Sequence, residues 1–191
     1  MAYLDKNAIK KMGFASVGDK VLISEKASFY NCSNIAIGSN VRIDDFCVFS
    51  AGNGGISIGN HIHIAVFSSL IGSGKIVLSD FCNLSSRVSV YSSTDDFSGG
   101  TMTSPVIPGR YKNVTHSEVY FGKHVIVGCG AVIIPGGILE DGVAVGALSL
   151  VNHRCNAFGV YAGVPARFVK ERRKNLMILE EEFSASELQK R

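Results

Sequence analysis

Apolar residues recur along this chain at every sixth position, not at the intervals of three to four that mark a helix. From Ile37 the chain divides into IGSNVR, IDDFCV and FSAGNG, and from Ile58 into IGNHIH, IAVFSS and LIGSGK. Leu78 opens LSDFCN, LSSRVS and VYSSTD. Phe121 opens FGKHVI, VGCGAV and IIPGGI, and Leu139 opens LEDGVA, VGALSL and VNHRCN. A weaker set, VGDKVL, ISEKAS and FYNCSN, begins at Val17. The first place of each hexad is aliphatic or Phe, the second often Gly, and the fifth small or β-branched. A prism of short strands explains this pattern. Three strands of about six residues complete a turn, with the first side chain inward and the fifth inside near a corner. Glycine at the second place is expected to permit the bend.

The pattern therefore predicts an all-β solenoid of about six triangular coils, each burying its neighbour's edge. It occupies residues 17–165, after an N-terminal segment 1–16 and before a helical tail 166–191. Gly163 and Pro165 in AGVPARFVKERRK end the coil, and proline suits the first turn of a helix because its missing N–H is an orphan there anyway.

One long excursion interrupts the rhythm. Within VSVYSSTDDFSGG, residues 88–100, the pattern stops at Tyr91 and returns only at Phe121, leaving a loop over 91–118. So long a connection on a rigid scaffold points to function. It carries Asp95 and Asp96 near its start and His116 near its end. Loop ends must return together to rejoin the coil, which predicts that one of these carboxylates meets His116. His124, fourth in its hexad, is expected to point outward near the same corner. In NHIHI, His61 and His63 would form half of a zinc site if both lie on one strand.

Composition narrows the class. At 191 residues the chain fits one domain, and no apolar run approaches the ~18 residues of a membrane span. The opening MAYLDKNAIKKMGFAS has no apolar stretch long enough for a secretory signal. Five cysteines, an odd number without a C-x-x-C pair, read as small buried hydrophobes of a reducing, cytoplasmic setting. A net charge of +3 does not argue for nucleic acid, and the basic residues gather late, in RFVKERRKN.

The register resembles that of the hexapeptide-repeat acyltransferases, whose fold is a left-handed parallel β-helix. The likeness covers roughly 17–170 and is strongest over VYFGKHVIVGCGAVIIPGGILEDGVAVGALSLV and AGVPARFVK. That combination is similar to the maltose and galactoside O-acetyltransferases and to sugar acetyltransferases of surface-polysaccharide pathways. The resemblance implies acetyl-CoA as co-substrate, a sugar or nucleotide-sugar acceptor acetylated on a hydroxyl or an amine, and a homotrimer with sites shared between subunits. It implies Ala147 and Ala162 beside the pantetheine arm and Arg167 and Lys170 beside the phosphates, with no metal. In the family a catalytic His stands near the start of the loop, where this chain reads SSTDDF. Asp95, Asp96, His116 and His124 are the residues left to act as base, orienter or sugar ligand. The missing His also keeps open a non-catalytic scaffold or sugar-binding subunit, and the paired histidines a γ-class carbonic anhydrase.

Overall fold

A computed structural model describes residues 2–188 of the chain. Strands of two to four residues wind into three parallel sheets that form the faces of a prism. The first sheet stacks seven strands in the order Ser16–Val17, Ile35–Ile37, Ile56–Ile58, Ile76–Leu78, Val119–Phe121, Ile138–Leu139 and Arg154–Cys155. The second runs from Leu22–Ile23 through Arg42–Ile43, His63–Ile64, Asn83–Leu84, Ile126–Val127 and Ala144–Val145 to Gly159–Ala162. The third holds six strands, from Ser28–Tyr30 to Leu150–Val151. Equivalent hexad positions pair between coils, as in Ile37 with Ile58 and Leu78 with Phe121.

The core follows the hexad rule. First-place residues from Ile37 to Val151 are buried, and so are the fifth-place residues Val41, Cys47, Ile62, Ser68, Cys82, Val88, Val125, Ala131, Val143 and Ser149. Three details differ from the sequence expectation. The chain starts a seventh turn, because Cys155 takes the inward place in register with Leu139 that an aliphatic residue holds elsewhere. A cysteine there hides the turn from a search for aliphatic first positions.

The corners are also built differently. The left-handed backbone falls on the fourth place, and mostly not on glycine: Asn40, Phe46, His61, Phe67, Phe81, Arg87, His124 and Leu148 all have φ between 56° and 64°. Glycine at the second place answers a different need. A Cβ on Gly38 would sit 2.5 Å from the carbonyl oxygen of Gly59, and one on Gly128 2.5 Å from the amide nitrogen of Ala147. The coils approach too closely there for any side chain.

Within the expected tail 166–191 the helix runs from Asn175 to Leu188, and residues 189–191 lie outside the described part of the chain. Arg167–Glu171 is instead a strand, antiparallel to Gly159–Ala162. Gly163, with φ of 103°, lies in the reversal between them, and the returning strand covers the open edge that a parallel stack leaves at its end. Ahead of the first coil the N-terminal segment forms a short helix, Lys6–Lys11, capped by the Asp5 carboxylate on the Ala8 amide.

Left-handed corner residues splay outward, so their side chains stack from coil to coil. Between the first and second sheets His61 lies 5.0 Å from Phe81, and Phe81 4.8 Å from His124, with nearly parallel rings. The C-terminal helix packs on this ladder. Phe183 meets His61 and Phe81 edge-on, while Glu180 accepts from His124 Nε2 at 2.6 Å and Lys123 Nζ at 3.0 Å. Arg172 ties the preceding segment down by donating to the His124 and Gly142 carbonyls. The bond from His124, with that from Lys123, holds the Glu180 carboxyl below its ordinary 4.5. A depressed acid contributes stability above its unfolded pKa and loses it as pH falls through the folded one. Denaturant midpoints measured downward from pH 4.5 should therefore fall less steeply in Glu180→Gln than in the unaltered chain.

Candidate active site

The excursion leaves the coil after Ser89–Tyr91, at the corner between the third and first sheets, and rejoins it at Val119. Its neck is a two-stranded hairpin: Ser93 pairs with His116 and Thr94 with Thr115. Ser92, fully buried, anchors the neck by donating to the Gly74 carbonyl at 2.7 Å. The loop ends thus come together, and His116 is drawn back to the loop's start. Its partner is Ser93, whose Oγ shares a 2.7 Å hydrogen bond with His116 Nδ1. Neither aspartate pairs with the imidazole.

The two aspartates have separate roles. Asp96 caps a turn, accepting from the Ser98 amide at 2.8 Å and the Thr101 hydroxyl at 2.9 Å. Ser98 and Thr101 hold its carboxyl below the ordinary aspartate range, which makes it a poor proton acceptor. Asp95 directly follows the neck and is exposed, with no hydrogen bond or ion pair to its carboxylate among the described residues. Of the two, Asp95 is the one free to meet a ligand.

His124 lies elsewhere. As the fourth residue of its hexad it turns the corner between the first and second sheets, whereas the loop leaves from the corner between the third and first. Its ring stacks on Phe81 and is bound by Glu180, so the expectation that it stands near the loop does not hold. His61 turns the same corner at φ of 57°, while His63 lies on a strand and bonds Asp44. The premise of a shared strand therefore fails, and among the described residues no three His, Cys, Asp or Glu gather as a metal-binding group.

The far end of the coil brings the other predicted residues together. A Cβ on Gly146 would lie 3.0 Å from the Ala162 Cβ, which places Ala147 and Ala162 on adjacent coils at one corner. The Ser149 hydroxyl accepts from the Gly163 amide at 3.1 Å and fixes the chain where it leaves the last coil. Arg167 and Lys170 are exposed on the closing strand, and Arg167 donates to the Ala166 carbonyl. Two cationic side chains thus stand beside a strip of small residues, a form suited to a narrow chain ending in phosphates.

No protein-family model matches the sequence. The chain is 57% identical over 186 residues, 97% of each protein, to the dTDP-4-amino-4,6-dideoxy-D-glucose acyltransferase of Escherichia coli. It belongs to the hexapeptide-repeat acyltransferases. A second relative, the putative lipopolysaccharide biosynthesis O-acetyl transferase WbbJ of E. coli K12, is 30% identical over 142 residues, 72% of this chain and 69% of WbbJ. AntD, an N-acyltransferase from Bacillus cereus solved in complex with dTDP and 3-hydroxybutyryl-CoA, superposes with a TM-score of 0.91 at 45% identity. That match covers 96% of this chain and 97% of AntD. The acyltransferase fold is accordingly a left-handed β-helix.

Three of the five cysteines are buried in the coil, as the sequence suggested, whereas Cys32 is half-buried and Cys129 exposed. Burial raises the thiols of Cys47 and Cys155 to about 11 and that of Cys82 to about 12, far from the reactive thiolate range. Cys129 is the exposed thiol. One grouping escaped sequence reasoning, which had paired His63 with His61 instead: Arg42, Asp44 and His63 meet on the outer face of the second sheet. Apart from the His-x-His of NHIHI, their signal was polarity at hexad places where the last coils carry Ile126, Ala144 and Val160.

Proposed function

We propose that this acyltransferase transfers an acyl group from acyl-CoA to the amine of a dTDP-linked 4-amino-4,6-dideoxy sugar for a surface polysaccharide. The 57% identity, spanning almost the whole of both chains, to an enzyme named for that acceptor carries the reading. The loop chemistry supports it. An alcohol needs a base to become a nucleophile at neutral pH, whereas a neutral amine attacks a thioester unaided and sheds its proton afterwards. A carboxylate such as Asp95 suits that task, holding the amine and taking its proton, and the loop needs no histidine. The nitrogen forms its bond to the carbonyl carbon, the carbon–sulfur bond breaks, and the coenzyme A thiolate takes up a proton. Backbone N–H groups stabilise the oxyanion.

In this reading Ala147 and Ala162 flank the pantetheine, Arg167 and Lys170 meet the phosphates, and His116, fixed by Ser93, lines the acceptor side. Cys129 reports on the donor end, because its carbonyl accepts from the Leu148 amide, next to Ala147. A thiol reagent should label Cys129 before the other cysteines, and coenzyme A should slow that labelling. Unchanged labelling in saturating coenzyme A would move the donor site away from Ala147.

The assembly is proposed to be a homotrimer with sites between neighbouring copies. Val106 supports this, standing 89% exposed on the loop, as does the half-exposed Phe46–Phe67 stack at a corner. Sedimentation equilibrium at three chain masses is the expected result. Among the described residues no helix is long and apolar enough to cross a membrane. Free cysteines and a coenzyme A donor suit the cytoplasm.

The deciding assay mixes acetyl-CoA with dTDP-4-amino-4,6-dideoxyglucose and follows both thiol release and product mass. Release with this acceptor and none with dTDP-glucose is the expected result. Turnover confined to a hydroxyl acceptor would make the chain an O-acyltransferase. Coenzyme A binding without any turnover would make it a scaffold.

A further inference from the structure

The outer strip of the second sheet changes character along the solenoid. In register it presents Arg42, His63, Asn83, Ile126, Ala144 and Val160, each one rung from the next. The inward alternates on the same strands, among them Ile43, Ile64 and Leu84, belong to the core. The half nearer the chain's end is small and apolar and leads to Ala162. Nearer its beginning, past the half-exposed Leu22, the strip carries the polar run Arg42, His63 and Asn83, with Arg42 as its fixed positive charge.

Asp44 organises this polar run. Its side chain is only 6% exposed, yet both oxygens are used: Oδ1 accepts from Arg42 Nε at 2.7 Å and Oδ2 from His63 Nε2 at 2.8 Å. The partners remain open to solvent, with the Arg42 side chain 48% and that of His63 39% exposed. The bond through Nε leaves both terminal nitrogens of the Arg42 guanidinium without a partner in the described chain, and His63 Nδ1 likewise. An ordinary surface ion pair between flexible chains contributes little to stability. Here a buried carboxylate fixes two neighbouring donors side by side, one rung or about 4.8 Å apart, with their free nitrogens unpaired. That is a pre-organised anion cradle, and the planar guanidinium fits phosphate oxygens two at a time.

We propose that Arg42 and His63, aligned by Asp44, bind the diphosphate of the nucleotide-linked acceptor. The inference rests on the acceptor class proposed above and deepens it. From Arg42 to Asn83 is two rungs, about 10 Å along the strip. A hexose held at its anomeric diphosphate by Arg42 and His63 extends its C4 amine toward Asn83. The thioester arrives at the same place from the apolar half. Donor and acceptor then lie head to head on this face of one copy, opposite the corner that carries its own loop, so the Asp95 that meets the amine comes from the neighbouring copy of the proposed trimer, and the diphosphate subsite sets how far the amine reaches. Asp44 is a positioning residue, acting through the two donors.

Titration of the full-length protein with dTDP alone tests this, using Arg42→Gln and His63→Gln beside the unaltered chain and coenzyme A as the control ligand. Losing charge-assisted bonds should weaken dTDP about tenfold to a hundredfold in Arg42→Gln and raise the acceptor KM alike. Coenzyme A affinity and the donor KM should stay as they were. Variants that bind dTDP as tightly as an unaltered chain that acylates the aminosugar would overturn the subsite alone. So would a His63→Gln variant with lower kcat and unchanged acceptor KM, since that marks a base. An unaltered chain that acylates a free aminosugar but ignores dTDP would overturn both the subsite and the acceptor class.

Discussion

Asp95→Asn should lower kcat/KM for the aminosugar by roughly 10²–10⁴-fold, the usual contribution of a positioned acid–base group, with coenzyme A affinity intact. The expectation follows from what each loop carboxylate already does. Asp96 is committed to the Ser98 amide and the Thr101 hydroxyl, and those bonds hold its proton affinity down. An asparagine at 96 keeps the acceptor oxygen for the Ser98 amide, so Asp96→Asn should cost far less than Asp95→Asn. His116 is exposed but held by Ser93, which suits it to shape the site. His116→Ala should therefore act mainly on the acceptor KM. A chain whose rate survives both Asp95→Asn and Asp95→Ala but collapses in His116→Ala would assign the base to the imidazole.

The coil was legible because burial recurs at fixed hexad places. An inward first position and a fifth position at a corner demand apolar or small residues wherever the chain turns, and the sequence carries them from Ile37 to Val151. The corners were not legible in the same way. Left-handed backbone is read from glycine, yet here the coil geometry imposes it on Phe46, His61, Phe67, Phe81 and Arg87, while glycine marks where neighbouring backbones touch. The closing strand was masked by its charge. RFVKE looks like the start of a solvated helix, and only the open edge of Gly159–Ala162 makes it a strand. The loop announced itself by breaking the rhythm, and the meeting of its ends followed from chain closure. The identity of His116's partner did not, because a hairpin register decides it. Arg42, Asp44 and His63 were further from view. Arg42 and Asp44 sit on one coil and His63 on the next, so only the stacking of coils brings them together.

Phe121→Ala should lower the unfolding free energy by about 3–5 kcal/mol, a large share of the roughly 5–15 kcal/mol of an ordinary domain. Phe121 is fully buried at the place where the chain re-enters the coil after its excursion, in register with Leu78 on one side and Leu139 on the other. A solenoid coil packs only against its immediate neighbours, so distant coils cannot close around the cavity that the missing ring leaves. The seam is also where the loop's closure entropy must be offset, since the strands it joins are separated by the whole excursion. Phe121→Leu, which keeps most of the volume, should cost about 1.5 kcal/mol or less. Phe97→Ala, at the 93% exposed loop tip, should stay within about 0.5 kcal/mol. Denaturant midpoints at one pH and one protein concentration compare the three variants directly. Equal midpoints for Phe121→Ala and Phe97→Ala would mean that Val119–Phe121 does not pack between Ile76–Leu78 and Ile138–Leu139. Continuity of the coil across the excursion would then be lost, along with the fixed neck that holds Asp95 and His116.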